Sequence, residues 1–118
     1  MIRRGDVVVA AFPYAGGVGS KNRPAVVVQC DRLNNKLLNT VVVMITGNTR
    51  LVGKEPTQFL IDPTSFEGQS SGLHKASAVK CESLLTLLMV DILQTIGHLS
   101  DSLKMKLNAC LKSALELP

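Results

Sequence analysis

Arg23-Pro24-Ala25-Val26-Val27-Val28 decides how this chain is read. An unbroken β-branched run suits a strand buried on both faces. The proline at its entrance holds the preceding Arg23 in extended backbone. Its guanidinium is thereby presented rigidly at a strand mouth, beside the glycine-rich stretch Gly16-Gly17-Val18-Gly19-Ser20. A forked, permanently charged donor next to a loop able to open and close on an anion suits phosphodiester chemistry.

Working outward, Val7 to Phe12 is continuously apolar and predicts a first strand, and Pro13 to Asn22 predicts a long turn that serves as a flap over the site. Ala25 to Gln29 and Thr40 to Thr46 predict two buried strands, joined by the polar segment Asp31 to Lys36, whose asparagines suit left-handed turns. Gly47-Asn48-Thr49-Arg50 breaks the pattern, after which Thr57 to Asp62 reads as a fourth strand and Asp62 to Gly68 as a turn or a single helical turn. Leu73 to Glu82 predicts a fifth strand and Ile92 to Ile96 a short last one, while Leu84 to Val90 reads equally as strand or helix. Ser100 is an N-cap residue, Asp101 complements the positive helix end, and Leu103, Leu107, Cys110, Leu111 and Ala114 share one stripe. A helix from about Asp101 to about Leu115 follows. The fold class expected is mainly β with a C-terminal helix: a small, partly open, SH3-like β-barrel with the helix laid across it.

A chain of 118 residues is expected to form a single domain, residues 1–118. Only 3% of residues are aromatic against 46% hydrophobic overall, so the core is built from small aliphatic side chains. Such a core buries less area per residue, and with a mean hydropathy of +0.24 a second copy is expected to complete the burial. The net charge of +4 permits a polyanionic partner without demanding one, since the basic residues are dispersed. A backbone-binding surface requires the fold to gather residues such as Arg3, Lys21, Arg23, Lys54 and Lys75. Cys30, Cys81 and Cys110 are odd in number and lack a Cys-x-x-Cys spacing, which points to buried thiols and not to a disulfide framework or zinc site. No metal or cofactor is expected. The glycine-rich stretch lacks the Gly-Lys-Ser/Thr ending of a phosphate-binding P-loop. Asp6 and Pro13 interrupt any leader-like start, and Thr86 and Asp91 break the apolar run from Leu84 to Leu93 well short of a membrane span. A cytoplasmic protein with no membrane association is expected.

Several segments in this order carry a resemblance. An opening Arg4-Gly5-Asp6 strand, a glycine-rich loop and Arg23-Pro24-Ala25-Val26-Val27-Val28 come first, followed by an apolar strand ending in Thr46. Ser71-Gly72-Leu73, Ile96-Gly97-His98-Leu99-Ser100 and a final helix complete the series. Each is weak alone; together, across nearly the whole chain, they resemble the PemK/MazF family of toxin endoribonucleases. The resemblance implies a homodimeric, metal-independent, sequence-selective enzyme that cuts single-stranded RNA by attack of the internal 2′-hydroxyl, held in check by a cognate antitoxin protein. DNA would be reached only through the antitoxin complex. The family's active-site Arg matches Arg23 and its Thr matches Thr46.

The chemistry agrees with that transfer. Internal attack builds charge on the non-bridging phosphate oxygens, where Arg23 is placed to stabilise the transition state and Thr46 to add a hydroxyl hydrogen bond. Tyr14, Ser20, Lys21, His74, Lys75 and Ser77 are the candidate RNA contacts. Some relatives carry an Arg and an Asp where this chain has Lys75 and Ser77, so an Asp-based mechanism does not carry over. His74 is the alternative base, imidazole being the side chain that titrates near neutrality; it reads equally as an ordinary exposed residue. Tyr14 is placed either to stack on a base or to pack on the barrel rim. Taken alone, Arg23 also reads as a solvated strand-end charge and Thr46 as ordinary strand material. Two other functions use the same architecture: a gyrase-poisoning binding toxin of the CcdB type and a degenerate module that only binds RNA or antitoxin. The first ends in Trp-Gly-Ile, whereas this chain has no Trp and ends Leu115-Glu116-Leu117-Pro118.

Overall fold

Alternating burial explains the architecture. In the computed structural model, which describes residues 1–14 and 16–118, the paired valines of three strands divide between two cores. Val7, Val26 and Val43 enter one cluster with Phe59, Ile61, Val79 and the helix; their neighbours Val8, Val27 and Val42 enter the other with Ala10, Phe12 and Leu87. Strands buried on both faces are what the triple-valine runs predict.

The strands are β1 (Asp6–Pro13), β2 (Ser20–Val27), β3 (Asn39–Thr46), β4 (Gln58–Ile61), β5 (Ser77–Leu88) and β6 (Ile92–His98). They form one sheet in the order β4-β5-β3-β2-β1-β6, every neighbouring pair antiparallel. The sheet does not close, so the barrel-like fold is partly open. The β3–β5 register shifts between Val43 and Met44, and the β1–β6 register shifts after Val7 and after Val9. Such bulges increase local twist and bend the strands around the core. A short helix α1 (Asp31–Asn34) joins β2 to β3, and the long helix α2 (Asp101–Leu115) crosses the sheet. Leu103, Leu107 and Cys110 are its buried face, and the Ser100 hydroxyl caps it by accepting from Leu103 N.

Several sequence expectations need correction. The segment Asp31 to Lys36 uses no left-handed asparagine: among the described residues Glu116 is the one non-glycine with positive φ. Asn34 is instead buried in right-handed helix, where it donates to the Gln29 carbonyl (2.9 Å) and accepts from Thr40 Oγ1 (2.7 Å). A side-chain network thus replaces the expected turn. The fifth strand starts at Ser77, four residues after Leu73, because Gly72 takes a φ of 75° and turns the chain. It runs on to Leu88, which settles the segment from Leu84 as strand up to a single 3-10 turn at Met89–Asp91. The predicted flap is shorter than expected, since β2 begins at Ser20; Ala15 within it lies outside the described residues. Cys81 and Cys110 face each other between β5 and α2, while Cys30 is exposed. Burial pushes the Cys81 thiol up to about 12 and raises that of Cys110.

Candidate active site

Pro24 opens the site. It has no N–H to donate to a ladder, and the pairing of β2 with β3 ends at the next residue, where Ala25 lies beside Met44. Beyond that point β2 pairs with β1 alone, through Pro24, Arg23 and Asn22, while β3 pairs with β5 through Met44, Ile45 and Thr46. The two strands part, and a cleft of about 360 Å³ opens between them. Continuing the β2–β3 register by two residues would set Arg23 opposite Thr46, and both line the cleft.

The cleft also draws Lys21, His74, Lys75 and Ser77 to its walls. Gly47 makes room for one of them, since a Cβ there would lie 3.0 Å from the Lys75 ammonium nitrogen. Lys21, Arg23 and Lys75 form no ion pair among the described residues, so three cationic side chains face one hollow with no carboxylate partner. The charge density that was invisible in a dispersed sequence arises here by folding. Arg3 and Lys54 do not join it; Arg3 lines a separate hollow with Met1, Ile2 and Asp31.

Thr46 Oγ1 accepts a hydrogen bond from Asn48 N at 3.1 Å. The backbone donor occupies one lone pair and orients the hydroxyl, whose hydrogen is left to donate to an incoming oxygen. Ser77, expected among the RNA contacts, is buried and donates from Oγ to the Lys75 carbonyl at 3.0 Å. It therefore fixes the segment that carries His74 and Lys75. Tyr14 and Ser20 are not on the cleft wall. The half-exposed Tyr14 ring lies against Gly19 in the turn between β1 and β2, where an added Cβ would meet it at 3.4 Å.

The sequence reading did not anticipate a second, smaller hollow of about 150 Å³ on the other side of Thr46, lined by Asn48, Arg50, Leu51, Gln58 and Lys80. Glu82 lies near Lys80, but its carboxylate accepts from Thr57 Oγ1 (2.9 Å) and Gln58 Nε2 (2.8 Å). Although partial burial opposes it, a hydrogen bond from its own backbone N–H, together with those from Gln58 and Thr57, lowers the Glu82 carboxyl from its ordinary value. Nothing in the linear spacing of Arg50 and Lys80 announces that they line one hollow; the β4–β5 ladder places Gln58 beside Lys80, and the segment between β3 and β4 supplies Arg50.

The chain and its fold are similar to those of known proteins. Residues 3–115 match the model of the PemK-like, MazF-like toxins of type II toxin–antitoxin systems. The chain is 30% identical over 118 residues to the Endoribonuclease MazF of Staphylococcus saprophyticus, covering 99% of this chain and 93% of that protein. Among solved structures, it superposes with a TM-score of 0.80 on an endoribonuclease in complex with its cognate antitoxin from a mycobacterial species, at 22% identity over 100% of this chain and 98% of that one. A MazE–MazF structure from Deinococcus radiodurans superposes at 0.73, with 16% identity over 99% and 97% of the two chains. With the family model matching almost end to end, the chain belongs to the PemK-like, MazF-like toxins of type II toxin–antitoxin systems.

Proposed function

We propose that residues 1–118 act as one domain, a sequence-selective endoribonuclease toxin that cuts single-stranded RNA without a metal ion. The observation that carries this reading is the meeting of Arg23 and Thr46, distant in sequence, in a single cationic cleft within a fold shared with endoribonucleases. Attack of the 2′-hydroxyl on the adjacent phosphorus forms a 2′,3′-cyclic phosphate as the bond to the 5′-oxygen breaks. Arg23 stabilises the charge gathered on the non-bridging oxygens, and the Thr46 hydroxyl donates to the same phosphate. Lys21 and Lys75 hold the flanking negative charge. His74 is the candidate base for the 2′-hydroxyl proton, and Arg23 or a water returns a proton to the leaving oxygen.

A cleft whose charged walls are Lys21, Arg23 and Lys75 repels a divalent cation. Cleavage of a long single-stranded RNA by the purified protein is therefore expected to persist in excess EDTA, with ends mapping to a recurring short motif. Loss of cleavage in EDTA and its return with Mg²⁺ would falsify the mechanism.

The enzyme acts as a homodimer in the cytoplasm, checked by a cognate antitoxin. Leu84, Leu85, Leu88, Val90 and Leu93 stand exposed along the β5–β6 stretch, apolar surface available for a second copy to bury. Light scattering at micromolar concentration is expected to give twice the chain mass of 12.7 kDa. A stable monomer would remove the dimer. A disordered antitoxin segment laid into the cationic cleft would inhibit by displacing RNA, and DNA contacts would come from the antitoxin.

A further inference from the structure

The cleft that carries Arg23 and Thr46 continues past Asn22, Pro24, Leu73 and His74 into another hollow of about 370 Å³. Strand register sets its floor. Pro24 lies beside Val9, and Val9 beside Gln94, so three adjacent strands bring these residues to one face. Asn22, two residues before Pro24 on the same strand, shares that face. The half-buried Leu73 and Ile96 complete the lining. No lysine or arginine lines the hollow, in contrast to the cleft it opens from. Asn22 and Gln94 are exposed, and neither side-chain amide takes part in the hydrogen bonds among the described residues.

From this we infer that the hollow receives the base of a nucleotide adjacent to the scissile phosphate and reads its edge through the Asn22 and Gln94 amides. The inference rests on the ribonuclease reading above. Sequence-specific proteins recognise RNA by taking unstacked bases, holding their faces against flat or apolar groups and hydrogen-bonding their edges. Val9, Pro24, Leu73 and Ile96 supply apolar walls, and each amide offers both donor and acceptor atoms, as base edges do. A phosphate would find no cation there. His74 lines both hollows, so its ring marks the junction at which a base would leave the path of the backbone.

The test compares the full chain with Gln94→Ala, Asn22→Ala and Gln94→Glu, mapping cut sites on a long single-stranded RNA. In parallel, binding is measured to short oligoribonucleotides that vary one base beside a 2′-deoxy, uncleavable junction. Both alanine variants are expected to lower the base preference at one position flanking the cut by about tenfold, leaving the other positions of the motif unchanged. Gln94→Glu, which exchanges donors for acceptors, is expected to favour a different base at that same position. An unchanged motif, or a uniform loss of cleavage and binding over all sequences, would overturn the assignment. If the protein binds these RNAs with base discrimination that the variants abolish but cuts none, the base site stands and the ribonuclease reading falls.

Discussion

Arg23→Ala and Thr46→Ala are each expected to slow RNA cleavage at least about tenfold, the equivalent of about 1.4 kcal/mol of lost transition-state stabilisation. Arg23 has the larger expected effect, because it removes a full charge from the place where charge develops, whereas Thr46 removes one neutral hydrogen bond. Neither change should loosen the fold. Arg23 is exposed beyond the end of the β2–β3 ladder, and Thr46 accepts a single backbone hydrogen bond from the turn that follows it. Single-turnover rates with saturating RNA, read beside thermal melts, separate the two effects. Unchanged turnover in both variants, at an unchanged melting temperature, would favour a binding toxin over an enzyme.

Gly97→Ala should cause a large loss of stability. A Cβ at Gly97 would overlap the Ser71 carbonyl carbon and oxygen and lie 2.5 Å from the Ser70 oxygen. Those atoms belong to the 3-10 turn Gln69–Ser71, whose seat on β6 is further fixed by Ser70 Oγ donating to the His98 carbonyl at 2.8 Å. Backbone cannot rotate away as a side chain can, so the turn must lift. Overpacking of this kind costs about 3 kcal/mol. The damage also reaches function, since the same turn leads through Gly72 and Leu73 into His74 and Lys75. Gly16→Ala is the contrast: nothing lies within 4 Å of a Cβ there. Urea denaturation should give a markedly lower midpoint for Gly97→Ala and a midpoint near that of the parent for Gly16→Ala. Equal midpoints would mean that the turn does not rest on β6.

The legible parts of the sequence were those governed by local rules. The valine runs gave strands buried on both faces, and the apolar stripe with its Ser100 cap gave α2 and its approximate ends. Family resemblance pointed to Arg23 and Thr46, and Pro24, a local feature, explains why the sheet splits between them. The misreadings arose where tertiary partners override local preference. Asn34 looks like a turn residue until Gln29 and Thr40 take up its amide. Asn22, Arg50, Gln94 and Lys80 carry no pattern in one dimension; strand pairing and the intervening turns bring them to the rims of the hollows.

The three thiols give the chain a built-in chemical reporter. Cys30 stands in solvent, whereas Cys81 and Cys110 are sealed between β5 and α2, with the Cys81 thiol held at about 12. Alkylation proceeds through the thiolate, so a maleimide dye offered to the native protein should settle on Cys30 alone and leave α2 undisturbed. The other two sulfurs become reactive only when the helix leaves the sheet. The rate at which a second and third label appear is then a direct clock for that opening, available in the natural sequence without engineering a cysteine.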